Sequence, residues 1–192
     1  MVIIITGASH TGKTLLAQKL LEKFKYPYLS IDHLKMGLIR SGNTKLTPMD
    51  DDKLTIYLWP IIRETIKTAI ENNQNLIIEG CYIPSNWKDD FSSEYINSIK
   101  LICLAMSDSF IKNNFEEIMN HSSDIEHRII DSNYSIDDII FDNNKYINEF
   151  SPEDITLIDS DYSKTIDKLI KELVWINILL TAGWIAKIVK HV

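Results

Sequence analysis

The stretch that decides the fold is Gly7-Ala8-Ser9-His10-Thr11-Gly12-Lys13-Thr14. It fits the pattern G-x-x-x-x-G-K-[ST], the Walker A motif, whose glycines allow a tight turn and a close approach of phosphate to the backbone. Residues 2–5 form a β-branched apolar run typical of a buried parallel strand, and leucines at helical spacing follow the motif. A strand, a glycine-rich turn and a helix together aim backbone N–H groups at an anion. The pattern therefore predicts a phosphate-binding loop.

The residues of this loop have distinct predicted roles. We expect all of residues 7–14 to contact a nucleotide, with its phosphates seated on the N–H groups of 9–14. Lys13 is predicted to reach the β- and γ-phosphates, and the Thr14 hydroxyl to bind Mg²⁺. The alternative is a chance match in an ordinary turn between a strand and a helix, and the flanking elements disfavour it. The predicted cofactors are therefore ATP and Mg²⁺.

The whole chain has the size and charge of one acidic domain. Its 192 residues predict a single domain over 1–192 with a substantial core. The net charge of −7 and the pI near 5.2 exclude an overall basic surface for nucleic acid. Cys81 and Cys103 are far apart and form no metal-ligand pattern, which favours reduced thiols in a cytoplasmic protein. The first apolar run is too short for a signal peptide, which also favours the cytoplasm.

Hydrophobic patterning alternates between strands and helices along the chain. The predicted strands are 2–6, 27–30, 75–79, 99–105 and 154–159. The predicted helices are 13–24, 32–41, 48–72, 107–120, 135–149 and 162–189. This alternation predicts an α/β fold with a parallel sheet covered on both faces. Ligands bind such sheets outside the carboxyl ends of the strands, so the residues after each strand are the candidates for chemistry.

Two acids follow predicted strands beside the loop. Asp32 comes after the second strand and could accept a proton from a substrate hydroxyl or bind the substrate. Its alternative role is to cap the next helix, which Ser30 could equally do. Glu79 ends the third strand, where an acid can hold Mg²⁺ or bind substrate. The alternative for Glu79 is an exposed carboxylate at a strand end.

Arginine is scarce, which limits the number of bidentate phosphate clamps. Among 20 basic residues only Arg40, Arg63 and Arg128 are arginines. Arg128 lies in the polar segment 121–134, where we predict a lid that brings it towards the phosphates. A plain helix–helix connection is the alternative for this segment. Arg40 and Arg63 are candidates for binding an acceptor, with surface ion pairs as the alternative.

The C-terminal helix, about 170–190, is apolar nearly all round. A bilayer span needs about 20 apolar residues. This stretch is shorter and carries Asn177, Thr181 and Lys187. We therefore expect a helix docked on the domain, or a homodimer contact, rather than a membrane anchor.

The chain resembles the P-loop small-molecule kinases over roughly residues 1–170. These include nucleoside monophosphate kinases, shikimate-type kinases and the zeta-toxin and chloramphenicol-phosphotransferase group. Asp32 matches the acid that they carry after the second strand, and Ile77-Ile78-Glu79-Gly80 is similar to their third-strand motif. The segment 28–41 also resembles bacterial 2-phosphoglycerate kinase-like proteins. The resemblance implies a three-layer α/β/α fold with a five-stranded parallel sheet and a lid, and Asp32 as the catalytic base.

Three functions are compatible with these residues. The leading hypothesis is an ATP- and Mg²⁺-dependent kinase acting on a hydroxyl of a small molecule. The alternative enzyme is a nucleoside monophosphate kinase, although adenylate kinase carries an arginine in its third-strand motif that this chain lacks after Glu79. An ATP-binding switch or regulatory NTPase is the alternative of another class. Asp32 counts against the switch, since a switch needs no acceptor base.

Overall fold

The computed structural model describes residues 1–120 and 135–189, and the side chains among them as far as residue 178. Its centre is a sheet of five parallel strands in the order β2-β3-β1-β4-β5. The strands are β1 (Val2–Gly7), β2 (Tyr28–Ser30), β3 (Leu76–Glu79), β4 (Ile99–Met106) and β5 (Ile155–Ile158). The chain winds to one side of β1 for β2 and β3, and to the other side for β4 and β5. The loop after β1 therefore lies at a switch point of the topology, where open α/β sheets bind ligands.

Helices separate the successive strands and one more follows the last strand, as the alternating pattern predicts. They are α1 (Lys13–Phe24), α2 (Ile31–Arg40), α3 (Asp51–Glu71), α4 (Ser93–Ile96), α5 (Asp108–Asn120), α6 (Ile136–Glu149) and α7 (Tyr162–Val189). A short 3₁₀ turn, Trp87–Asp90, precedes α4. Both the 3₁₀ turn and α4 are absent from the sequence-based prediction. The predicted lid, 121–134, lies outside the described residues.

The start of α3 differs from its prediction by three residues. The sequence suggests Thr47 as the cap and Pro48 as the first helical residue, whereas the helix begins at Asp51. The Asp50 carboxylate accepts hydrogen bonds from the backbone N–H and the hydroxyl of Thr47, at 2.9 and 2.8 Å. These bonds close a turn over 47–50 and delay the helix.

Both faces of the sheet are covered, which confirms the predicted fold class. Along β1 the side chains alternate between the two faces. Val2 and Ile4 join a buried cluster with the inner face of α3. Ile3 and Ile5 are fully buried as well, and α1 packs on β1 and β3. This near-continuous burial is typical of a parallel strand in the middle of an α/β sheet.

The described chain separates into two compact units. The first, Met1–Asp159, holds the sheet and α1–α6, and the second, Ser160–Val192, holds α7. The single domain over 1–192 and the homodimer contact through the C-terminal helix stay predictions. Within the described ranges, no helix is long and apolar enough to cross a membrane.

Candidate active site

The turn after β1 has the backbone geometry of a phosphate-binding loop. Gly7 has a φ of 132°, and a Cβ placed on it would lie 2.0 Å from the Leu104 carbonyl oxygen of β4. Gly12, the residue before α1, is left-handed with a φ of 77°. Leu104 also accepts a hydrogen bond from the Ala8 N–H at 3.2 Å. Glycine is therefore required at position 7 by steric contact with the neighbouring strand.

Side chains of the motif hold the loop closed. The Ala8 carbonyl accepts a hydrogen bond from the Thr11 hydroxyl at 2.8 Å and another from the Lys13 ammonium at 2.6 Å. Lys13 is almost completely buried. The Lys13 ammonium therefore lies inside the loop, where it donates a hydrogen bond to the Ala8 carbonyl oxygen. A phosphate oxygen is an equally suitable acceptor for that ammonium.

The predicted metal-binding residues are adjacent. The Thr14 hydroxyl lies 3.4 Å from Oε1 of Glu79, and the Tyr28 hydroxyl donates to Oε2 at 2.9 Å. Glu79 is only 2% exposed, which excludes the alternative of an exposed strand-end carboxylate. A hydroxyl and a carboxylate oxygen suit Mg²⁺, which usually takes one or two protein ligands and completes its shell with water and phosphate. The pair fits that chemistry.

Asp32 does not cap its helix. Ser30 is the N-cap of α2, and its hydroxyl accepts a hydrogen bond from the His33 N–H. The Asp32 carboxylate instead accepts a hydrogen bond from the Lys35 ammonium at 2.5 Å, and its side chain is 36% exposed. The acid after β2 is therefore available to a substrate.

A chain of hydrogen bonds fixes Lys35 beside Asp32. The Lys35 ammonium also donates to the Tyr82 hydroxyl at 2.8 Å, and that hydroxyl donates to Asp51 at 2.9 Å. Burial raises the pKa of the Tyr82 phenol, so its hydroxyl keeps its proton at neutral pH. Lys35 lies 4.9 Å from the centre of the Tyr82 ring, within reach of a cation–π interaction. This network joins α2, α3 and the segment after β3.

Cys81 marks the point where these groups converge. The pKa of its thiol is raised to about 11, mainly by burial and also by the charges of Asp32 and Asp51. The charges of Lys13 and Lys35 act in the opposite direction. Four charged side chains from three helices therefore affect the thiol of the residue that follows Glu79-Gly80. Both the loop lysine and the predicted base belong to this one neighbourhood.

The raised thiol pKa predicts that Cys81 resists alkylation. At pH 7.5 a thiol with a pKa near 11 has over about 100-fold less thiolate than a free cysteine with a pKa near 8.5. Iodoacetamide should therefore modify the native protein more than about 100-fold slower than the unfolded chain. The native rate should still rise about tenfold per pH unit above pH 9, where the unfolded rate levels off.

Cys103, with a pKa of about 12, must be distinguished from Cys81 in this experiment. The variant Cys103→Ser isolates the Cys81 rate. Native alkylation at the unfolded rate would contradict the partly buried environment of Cys81, with its acidic neighbours.

The structure gives contacts for Arg63 and leaves the roles of Arg40 and Arg128 as predictions. Arg63 bonds to Glu64 and Asp90, and it lies twelve residues, about 18 Å, along α3 from Asp51. This placement does not support acceptor binding by Arg63. Arg40 is exposed in the last turn of α2, and its role stays a prediction. Arg128 lies outside the described residues.

Sequence reasoning overlooked several members of the site. The sequence patterns assign Lys35 and Asp51 no place in the site. Asp142 of α6 was overlooked entirely, although its carboxylate accepts a hydrogen bond from the Ser9 N–H of the loop at 2.8 Å. A contact across 133 residues leaves no local pattern in the sequence.

Comparison with known proteins yields structural likeness only. No protein-family model matches the chain, and no curated protein is significantly similar to it. A sugar kinase from a Janibacter species has a TM-score of 0.53 at 14% identity, covering 90% of this chain and 93% of that chain. A proposed kinase from Chloroflexus aurantiacus has a TM-score of 0.52 at 17% identity, covering 90% and 94%. Shikimate kinase from Aquifex aeolicus reaches 0.49 at 14% identity, covering 93% and 99%.

The first two likenesses confirm the implied α/β fold with its five-stranded parallel sheet. At 14–17% identity they establish a shared fold and leave the chemistry to be argued from this chain's residues.

Proposed function

We propose that this chain is a kinase that transfers the γ-phosphoryl group of ATP to a hydroxyl of a small molecule, with Mg²⁺ as cofactor. The observation that carries the proposal is that the loop and the acid after β2 meet at Glu79. Thr14 of the loop lies 3.4 Å from Glu79, and Ser30, two residues before Asp32, pairs with Glu79 across β2 and β3. A nucleotide-binding switch needs the loop lysine but no acceptor base. A transferase needs a cation on the donor phosphates and a base at the acceptor, close together.

The nucleotide half of the site consists of the loop and Glu79. The N–H groups of 9–14 would receive the phosphates, and Lys13 would exchange the Ala8 carbonyl for a phosphate oxygen. Thr14 and Glu79 would hold Mg²⁺, which neutralises phosphate charge when bound. Tyr28 keeps Glu79 oriented by donating a hydrogen bond to Oε2 of its carboxylate.

The acceptor half of the site is built around Asp32. Lys35 engages Oδ1, while Oδ2 accepts no hydrogen bond from any residue that the structure describes. We assign Oδ2 as the proton acceptor. The acceptor hydroxyl gives its proton to Oδ2 while its oxygen bonds to the γ-phosphorus and the bond to the ADP oxygen breaks. The products are a phosphate monoester and ADP, and Asp32 then releases the proton to water.

Charge around Asp32 limits the choice of acceptor. Asp32 and Asp51 carry two negative charges against the single positive charge of Lys35. Such a site suits a neutral hydroxyl compound, because a phosphate beside Asp32 and Asp51 would be repelled. The test is a screen for ADP release from ATP and Mg²⁺ across nucleotides, sugars, hydroxy acids and antibiotics. Release that depends on one acceptor class supports the proposal, and release that no acceptor stimulates contradicts it.

AMP should be a poor acceptor. Adenylate-kinase-like sites use several arginine forks to neutralise and orient two sets of phosphates. Here Arg63 is already bonded to Glu64 and Asp90, which leaves Arg40 and the predicted lid residue Arg128. We expect ADP formation from AMP and ATP to be far below the roughly 1–100 s⁻¹ of well-matched kinases.

Steady-state assays with AMP, measured beside the best acceptor of the screen, check this expectation. Turnover of AMP within that range would favour the nucleoside monophosphate kinase.

A further inference from the structure

One N–H group of the phosphate-binding loop already has an anionic partner. The Ser9 N–H donates to Oδ2 of Asp142 at 2.8 Å, and the contact is partly buried. Asp142 lies in the second turn of α6, far from the loop in sequence. A carboxylate oxygen and a phosphate oxygen are alike as charged acceptors for a backbone N–H. The Asp142 carboxylate therefore occupies a backbone N–H group that we expect to bind a nucleotide phosphate.

The neighbours of Asp142 hold it in this position. Asn143, the next residue, is fully buried and accepts a hydrogen bond from the Met106 N–H at the end of β4, at 2.7 Å. The Tyr146 hydroxyl, one turn further, donates to the Cys81 carbonyl at 3.3 Å. These contacts anchor α6 at the carboxyl edge of the sheet on either side of the loop. The Asp142 contact is thus part of the packing of α6 and not a chance rotamer on the surface.

Asp142 and a bound phosphate cannot share this position. The Ser9 N–H has one proton to donate, and a phosphate seated on the loop brings further negative charge next to the carboxylate. Like charges at contact distance repel strongly where water is partly excluded. A phosphate that takes the Ser9 N–H must therefore displace the carboxylate from it.

We propose that Asp142 is an internal competitor for the nucleotide phosphates, which occupies the empty loop and is displaced by ATP with Mg²⁺. The proposal rests on the proposed function, since it takes this loop as the nucleotide site. A loop that is free for only part of the time binds its ligand with an apparent affinity reduced by that fraction. Displacement also couples nucleotide binding to α6, which packs on β4 and α5.

The test compares three variants by calorimetric titration with ATP and Mg²⁺. Asp142→Ala removes the competitor, so we expect about tenfold tighter binding, the scale of one charged hydrogen bond. Asp142→Asn keeps a neutral acceptor for the Ser9 N–H and should lie between Asp142→Ala and the original protein. Asp137→Asn is the matched control, because Asp137 is exposed and lies about 140° around α6 from Asp142. It should bind within about twofold of the original protein.

The proposal would be overturned if both Asp142 variants bind ATP and Mg²⁺ no more tightly than the original protein while the control is unchanged. The contact between Asp142 and Ser9 would then be purely structural. The isosteric Asn variant keeps the test decisive if the Ala variant does not fold. Failure of the proposed function looks different: the unmodified protein would itself not bind ATP and Mg²⁺, and the competitor proposal would fail with it.

Discussion

Changing Asp32 to asparagine should lower the rate of phosphoryl transfer by about 100-fold or more while ATP still binds with Mg²⁺ at its original affinity. A positioned general base contributes about 10²–10⁴ to a rate. Asparagine keeps the shape of the side chain and can still accept the Lys35 hydrogen bond, but it cannot take the acceptor proton. The loss should therefore fall on kcat, and calorimetry with ATP and Mg²⁺ should show little change.

Asp89→Asn is the matched control for this variant. Asp89 is an exposed acid in the 3₁₀ turn after β3, and its replacement should leave both kcat and ATP affinity unchanged. Equal turnover in the Asp32→Asn variant would contradict the assignment of Asp32 as base. An equal loss of ATP binding would assign Asp32 to the nucleotide half of the site instead.

Changing Lys13 to alanine should weaken the binding of ATP and Mg²⁺ by about 10–150-fold and reduce transfer below detection. That range corresponds to the roughly 1.5–3 kcal/mol of a hydrogen bond between charged groups. Transfer suffers more than binding because charge on the γ-phosphoryl group must be stabilised during the reaction. The loop itself should survive, since Thr11 continues to bond the Ala8 carbonyl.

Lys23→Ala provides the control on the same helix. Lys23 is exposed in the last turn of α1, so its loss removes the same charge far from the loop. It should leave ATP binding within about twofold of the original value. If Lys13→Ala binds ATP as tightly as this control and turns over at the same rate, the motif does not function as a phosphate-binding loop here.

The sequence predicts most of the fold because its signals are local. The start of β1 and both bounds of α1 follow from the apolar run and the leucine spacing around the loop, and α7 begins at the predicted residue, Tyr162. The 3₁₀ turn and α4 were missed because tertiary packing creates them. Trp87 is 2% exposed and meets the Phe91 ring edge-on, with 6.0 Å between the ring centroids. No periodic pattern marks such a turn.

The residues of the candidate site also include some that a local sequence pattern predicts and others that only tertiary packing brings into place. Asp32 and Glu79 were found because parallel strands bring their carboxyl ends to one edge, so an acid at a strand end is a visible signal. The hydrogen-bond partners of Asp32 and Glu79 carry no such signal in the sequence. Tyr82 links Lys35 to Asp51 through side chains from three separate segments. Only the folded chain brings such groups together.

Phosphorus NMR of ATP and Mg²⁺ incubated with the protein and pooled acceptors tests the central claim most directly. A kinase converts the γ-phosphate signal into a phosphate-monoester signal as ADP forms, and Asp32→Asn should suppress that conversion. Formation of inorganic phosphate alone would indicate a nucleotide hydrolase and contradict the transferase. An unchanged ATP spectrum across the acceptor pools would contradict the account as a whole.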